Sequence, residues 1–135
     1  MPTPPARKKT ASPPAPKAQR DKLLFRFRMR VTRGDVIAVG PGKISLLEAI
    51  ASTGSITSAA KSLDMSYRRA WLLLDDINQS MKTPAVDSAK GGTAGGGSIL
   101  TEAGCQLIAL YRRIEETAAQ ACQHDMQELQ DMLKK

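Results

Sequence analysis

The chain has 135 residues, 41% of them hydrophobic, with two cysteines, one histidine and a formal charge of +7. That length suits one domain with appendages and leaves no room for a second full domain. No run approaches the ~18 apolar residues of a membrane span, no apolar leader follows the N-terminal charges, and a lone histidine with two scattered cysteines speaks against a metal site, so a soluble cytoplasmic protein without cofactor or metal is expected.

The charge is unevenly placed. Residues 1–33 hold ten Lys/Arg against Asp21 alone, residues 34–83 balance at five of each, and residues 84–135 carry five basic and seven acidic groups. Bulk charge beyond residue 33 therefore says little about nucleic-acid binding, and local geometry has to decide. Residues 1–22 contain six of the eight prolines and, Met1 aside, no apolar side chain larger than alanine or proline. Such a segment buries too little surface to offset its ordering entropy, which predicts a disordered basic tail. It reads either as a solubilising leader or as an arm lying along DNA.

Order is expected from residue 23. In "LLFRFRMRV", Phe25, Phe27, Met29 and Val31 alternate with Arg26, Arg28 and Arg30, the period-2 pattern of a strand with one buried face. The arginine row is either a solvated sheet face or a source of general phosphate attraction. "TRGD" supplies a turn at Gly34, and "VIAV", Val36–Val39, a short partner strand. "GPGKISLLEAIASTG" then opens a helix with Pro41 at its first position. Ile44, Leu47 and Ile50 or Ala51 recur there at helical spacing, and Gly54 ends it. Ser55 caps a second, short helix whose buried side is Ile56, Ala59, Ala60 and Leu63. Ser66 caps a third, "YRRAWLLLDDINQSM", with Ala70, Leu74 or Leu73, Ile77 and Met81 on one face and Pro84 as its stop. One of Leu72 and Leu73 must face outward or support a neighbouring helix.

The loop "KGGTAGGGS", Lys90–Ser98, follows between flanks "AVDSA" and "SIL" that are short enough to be hairpin arms. Beyond the cap Thr101, a single helical pattern runs to the C-terminus. Leu107, Tyr111, Ile114, Ala118, Cys122 or Ala121, Met126, Leu129 and Leu133 recur at three- and four-residue steps. A helix of about 33 residues would reach roughly 50 Å. So small a domain cannot cover an apolar seam of that length, so its outer part is expected to pair with a second copy. Cys105 and Cys122 would lie ~25 Å apart on it, beyond disulfide reach.

The second and third helices form the informative unit. Small residues, Ala59 and Ala60, permit close packing at a steep angle, as a helix-turn-helix requires. The third helix then projects its first turn, Ser66, Tyr67, Arg68 and Arg69, where it can enter a major groove. Arginine pairs bidentately with guanine, hydroxyls reach phosphates or bases, and a helix N-terminus attracts phosphate. Thr57, Ser58 and Lys61 on the preceding helix are placed for backbone contacts. A hairpin after three helices completes the order of a winged helix, giving a mainly α fold with a small β component (α+β). The expected organisation is a tail over 1–22, a winged helix-turn-helix over 23–100, and a dimerisation helix over 101–135 within the same domain.

The glycine loop is not a nucleotide cradle. A P-loop needs "GxxxxGK[ST]" between strand and helix, whereas Lys90 precedes the glycines and a strand follows them. With no Ser/His/Asp or Cys/His set either, no catalytic residue is assigned and no enzyme is expected. As a wing, the loop would use Gly91, Gly92, Gly95, Gly96 and Gly97 for positive φ at its tip. Lys90 and Thr93 would then contact the DNA backbone or minor groove.

"GPGKISLLEAIASTGSITSAAKSLDMSYRRAW", with "GGTAGGGSILTEAG" after it, resembles the N-terminal winged-helix region of the molybdate-responsive ModE regulators, and more distantly the LysR-type winged helix. The resemblance covers about residues 24–125. It implies a homodimeric transcriptional regulator that binds double-stranded DNA through the "SYRR" helix and the glycine wing. It further implies a dimer interface on the long C-terminal helix and part of the first, to which Leu107, Tyr111, Ile114, Ala118, Cys122, Met126 and Leu129 would contribute. Nothing in this sequence resembles the β-barrel modules through which full-length members bind the oxyanion, so molybdate binding is not expected of it. A dimeric protein-interaction adaptor and an anion sensor built on the glycine loop are the alternative readings.

Overall fold

Local chemistry sets most of the element boundaries. The computed structural model of the chain describes residues 22–87 and 99–134. In chain order they form β1 (Val31–Arg33), β2 (Val36–Val39), α1 (Pro41–Thr53), α2 (Ile56–Ser62), α3 (Tyr67–Ser80), α4 (Glu102–Ala121) and α5 (Gln123–Asp131). Among the described residues, five helices and one two-stranded antiparallel sheet give a mostly helical fold with a small β component.

Proline at N1 starts α1, and Gly54 ends it in the left-handed region at φ 75°, its N–H bonded to the Ile50 carbonyl. Ser55 Oγ accepts from the Ser58 N–H at 3.1 Å and Ser66 Oγ from the Arg69 N–H at 3.0 Å, so both serines cap as expected. Thr101 Oγ1 does the same for Gly104 and also donates to the Pro84 carbonyl. The core gathers Ile44, Leu46, Leu47 and Ile50 of α1, Ala59 and Ala60 of α2, Ala70, Leu74 and Ile77 of α3, and Tyr111 of α4. Ile50 is buried while Ala51 is exposed. Leu73 packs against the core, whereas Leu72 stands 54% exposed.

Two expectations are corrected. The alternating segment before Val31 is not a strand: β1 holds three residues, paired Val31 with Val39, Thr32 with Ile37 and Arg33 with Val36. A strand needs a partner ladder, and among the described residues β1 pairs with β2 alone, which is four residues long. Phe25 and Phe27 consequently remain over a third exposed, and only Met29 of the row packs on the core. The C-terminal helix is not one run either. It divides at Cys122, whose φ of −101° and ψ of 9° leave helical geometry and whose N–H bonds to the Ala118 and Gln120 carbonyls. Neither glycine nor proline marks the place, so periodicity carried no signal for it.

Contacts divide the described residues into two units, Phe27–Cys122 and a second that takes in residues 22–26 and 123–134. In the first, α1 packs on α2, α3 and α4, and α3 packs on α2 and β2. In the second, α5 carries a His124–Glu128 approach of 3.8 Å and a Gln127–Asp131 hydrogen bond.

Candidate nucleic-acid interface

The turn between α2 and α3 is built on the backbone. The Leu63 N–H reaches the Ala59 carbonyl and the Met65 N–H the Ala60 carbonyl, the 6→1 bond of a Schellman stop. Asp64 supplies the left-handed residue at φ 56°, a conformation that aspartate tolerates better than most side chains. With Ala59 and Ala60 at 0% and 2% exposure, nothing bulky separates the two helices.

Ser66, Tyr67, Arg68 and Arg69 are brought together as one exposed turn at the start of α3. Thr57, Ser58 and Lys61 are exposed on α2. The Tyr67 ring is braced edge-on by Trp71, centroid to centroid 6.1 Å. No acidic residue occupies this first turn, and among the described residues neither arginine forms an ion pair. Cations at a helix N-terminus oppose the macrodipole, so the turn is electrostatically tuned to receive an anion.

The glycine loop itself, with Lys90, Thr93, Gly91, Gly92, Gly95, Gly96 and Gly97, lies outside the described residues. Its base is described. Val86 and Leu100 form an antiparallel bridge, the Asp87 N–H bonds the Ile99 carbonyl at 2.8 Å, and the Thr101 N–H bonds the Ala85 carbonyl at 3.0 Å. Asn78 of α3 clamps this base, accepting from the Ala85 and Val86 N–H groups at Oδ1 and donating from Nδ2 to the Val86 carbonyl. The loop therefore springs from a point fixed to α3. Sequence reading passed over Asn78. The available signal was a polar residue four after Leu74 and next to Ile77, on the helix's buried side.

On α4, Leu107 is half-buried and Tyr111 lies in the chain's own core, its hydroxyl donating to the Met29 carbonyl at 2.8 Å. Burial raises the Tyr111 pKa above that of a free phenol, aided by the nearby Glu115 carboxylate. Ile114 is 47% exposed and, with Leu110, Ala118 and Ala121, lines an open apolar hollow of about 400 Å³. Cys122 and Met126 are half-buried and Leu129 is exposed. Arg112 reaches across to α1 and forks Glu48, Nε to Oε2 at 2.8 Å and Nη2 to Oε1 at 2.6 Å, while Nη1 binds Glu115. That fork holds the Glu48 carboxyl below its ordinary pKa, and the two carboxylates raise that of Arg112.

The same stretch of sequence recurs in known proteins. The chain is 42% identical over 95 residues to the molybdenum-pterin-binding protein MopB of Rhodobacter capsulatus. It is 40% identical over 91 residues to the molybdenum transport protein ModE of Azotobacter vinelandii; each match covers 67% of this chain. Over 71 residues, 53% of the chain, it is 45% identical to the DNA-binding transcriptional dual regulator ModE of Escherichia coli K12. Over the matched part the chain is similar to ModE-family proteins, as a fragment of one would be. These matches span only 35%, 34% and 27% of the respective relatives, so the chain corresponds to about a third of a ModE-family protein's length. No protein-family model matches it. The ModE-family names speak of regulation, transport and molybdenum-pterin binding, none of which is an enzymatic activity. Among the described residues, no helix is long and apolar enough to cross a membrane, and no three His, Cys, Asp or Glu are grouped to hold a metal ion.

Proposed function

We propose that the chain is a sequence-specific DNA-binding transcriptional regulator that acts as a homodimer, with a winged helix-turn-helix over residues 23–100 and a dimerisation segment over 101–135. Ser66–Met81 enters the major groove. Arg68 reads a guanine edge, while Ser66 and Tyr67 engage phosphates or base edges. Thr57, Ser58 and Lys61 touch the backbone, and the Lys90–Ser98 loop, anchored through Asn78, lies on the backbone or minor groove as a wing. Ile114 and Ala118, with Leu107, Cys122, Met126 and Leu129, supply the dimer contact, and Tyr111 supports that face from beneath. The observation that carries the reading is the exposed, acid-free first turn of α3, with Arg68 and Arg69 unpaired among the described residues. The E. coli relative named as a DNA-binding regulator supports it.

Selection of genomic fragments by the purified chain, with and without molybdate, tests the proposal. The expected result is enrichment of a pseudo-palindrome whose half-sites lie about one helical turn or a multiple apart. Recovery of fragments with no common motif would contradict it. Enrichment that depends on molybdate would show that oxyanion sensing extends to this chain.

A further inference from the structure

The arginine row ahead of β1 has a destination. Arg28 and Arg30 line a cleft of about 550 Å³ together with Lys43 of α1, Arg69 of α3 and the carboxylates Asp35 and Asp76. Four cations thus face two acids. Lys43 sits at the floor, only 7% exposed; its Nζ donates to the Ile37 carbonyl and lies 3.8 Å from Asp76 Oδ2. One acid is therefore engaged by the buried lysine, while among the described residues Arg28, Arg30 and Arg69 have no ion-pair partner. The cleft also takes in the N-terminus of α1, where Gly40 offers no side-chain cap to the first-turn N–H groups. Low-dielectric walls lined by one excess sign of charge focus potential and concentrate counter-ions. Guanidinium groups match tetrahedral oxyanions in fork geometry, and a helix start adds N–H donors of the same polarity.

We infer that this cleft is an anion site for a phosphate-type oxyanion, held by Arg28, Arg30 and Arg69 over the α1 N-terminus. The anion comes either from a DNA backbone phosphate or from free solution. Arg69 accordingly faces a different task from Arg68, gripping an anion rather than reading a base edge. Only the backbone source rests on the DNA-binding reading above.

Two variants of the full chain test the site. Arg30→Gln removes one cation. Gly42→Glu exploits the open space beside Gly42, where an added Cβ meets nothing within 4 Å. It places a carboxylate at the cleft, and acids in a first helical turn favour folding, so the variant is not expected to unfold α1. Titration of ¹⁵N-labelled chain with inorganic phosphate is expected to shift the Gly40, Gly42 and Lys43 amides saturably, with at least about tenfold weaker binding in Gly42→Glu. In parallel, duplex binding measured against salt is expected to lose about one unit of log–log slope in Arg30→Gln while sequence preference persists. A response to phosphate alone identifies a free oxyanion as occupant, and a response in the duplex slope identifies the backbone. Unshifted amides, or shifts equal in parent and Gly42→Glu, together with an unchanged slope overturn the site. If the chain binds no duplex at all, the DNA reading fails and the phosphate titration still decides this one.

Discussion

Gly104 shows how little room the first turn of α4 leaves. A Cβ there would run into the Ala85 carbonyl oxygen and come within 3.1 Å of its carbon, and both belong to backbone that cannot swing away. That backbone is the base of the glycine loop, fixed by Thr101 and by Asn78. Gly104→Ala is therefore expected to destabilise the fold by about 1–3 kcal/mol, despite alanine's better helix propensity. Chemical denaturation of parent and variant measures this directly, and equal or greater stability of the variant would show that α4 and Ala85 are not in such close contact. The other residue-scale feature is a division of labour between neighbours. Arg68 and Arg69 are adjacent in sequence and both exposed, yet only Arg69 lines the cleft beside Lys43 and Asp76. A sequence pattern treats "RR" as one basic motif, whereas helical geometry turns successive side chains about 100° apart.

At the scale of elements, α1 and α4 are joined by the Arg112–Glu48 fork above the buried contact of Tyr111 with Met29. Glu48 has its folded-state pKa lowered, so its contribution is present above the ordinary value of 4.5 and is lost as pH falls through the lowered one. Both partners are more than a third solvent-exposed, which limits the fork to roughly 0.5–1 kcal/mol. The expected outcome is that Glu48→Gln melts below the parent by up to about 5 °C near neutral pH, with the gap closing under acid conditions. A gap independent of pH would show that Glu48 does not act through its charge. Elements bounded by local chemistry were readable from sequence. Pro41, Gly54, Ser55, Ser66 and Thr101 each satisfy or release backbone groups within a few residues, and all stand where they were expected. Features that depend on a distant partner were not readable. The "FRFRMRV" alternation has the correct period for a strand, but β2 is too short to pair with most of it. The break at Cys122 has no breaker residue, and the Asn78 clamp depends on Ala85 and Val86 returning to α3 after the chain turns. Most of the candidate interface, by contrast, was readable, because a capped turn such as "SYRR" is a local object.

For the whole molecule, charge and homology point the same way at different resolution. The net charge of residues 34–135 is slightly negative, so long-range attraction to a polyanion falls to the N-terminal quarter and to the local clusters on α3 and in the cleft. In the proposed regulator, pairing of two copies through the apolar hollow along Leu110, Ile114 and Ala121 of α4 would add avidity to the few contacts each copy makes. The ModE relatives are about three times as long as the matched stretch. In the proposed function the first turn of α3 reads DNA sequence. Fluorescence anisotropy of a selected operator and a scrambled duplex, for the parent and Arg68→Ala under one salt condition, tests it most directly. The parent is expected to prefer the operator, and Arg68→Ala to give up about 1–3 kcal/mol of that preference while still binding both duplexes. Equal preference in parent and variant would contradict it.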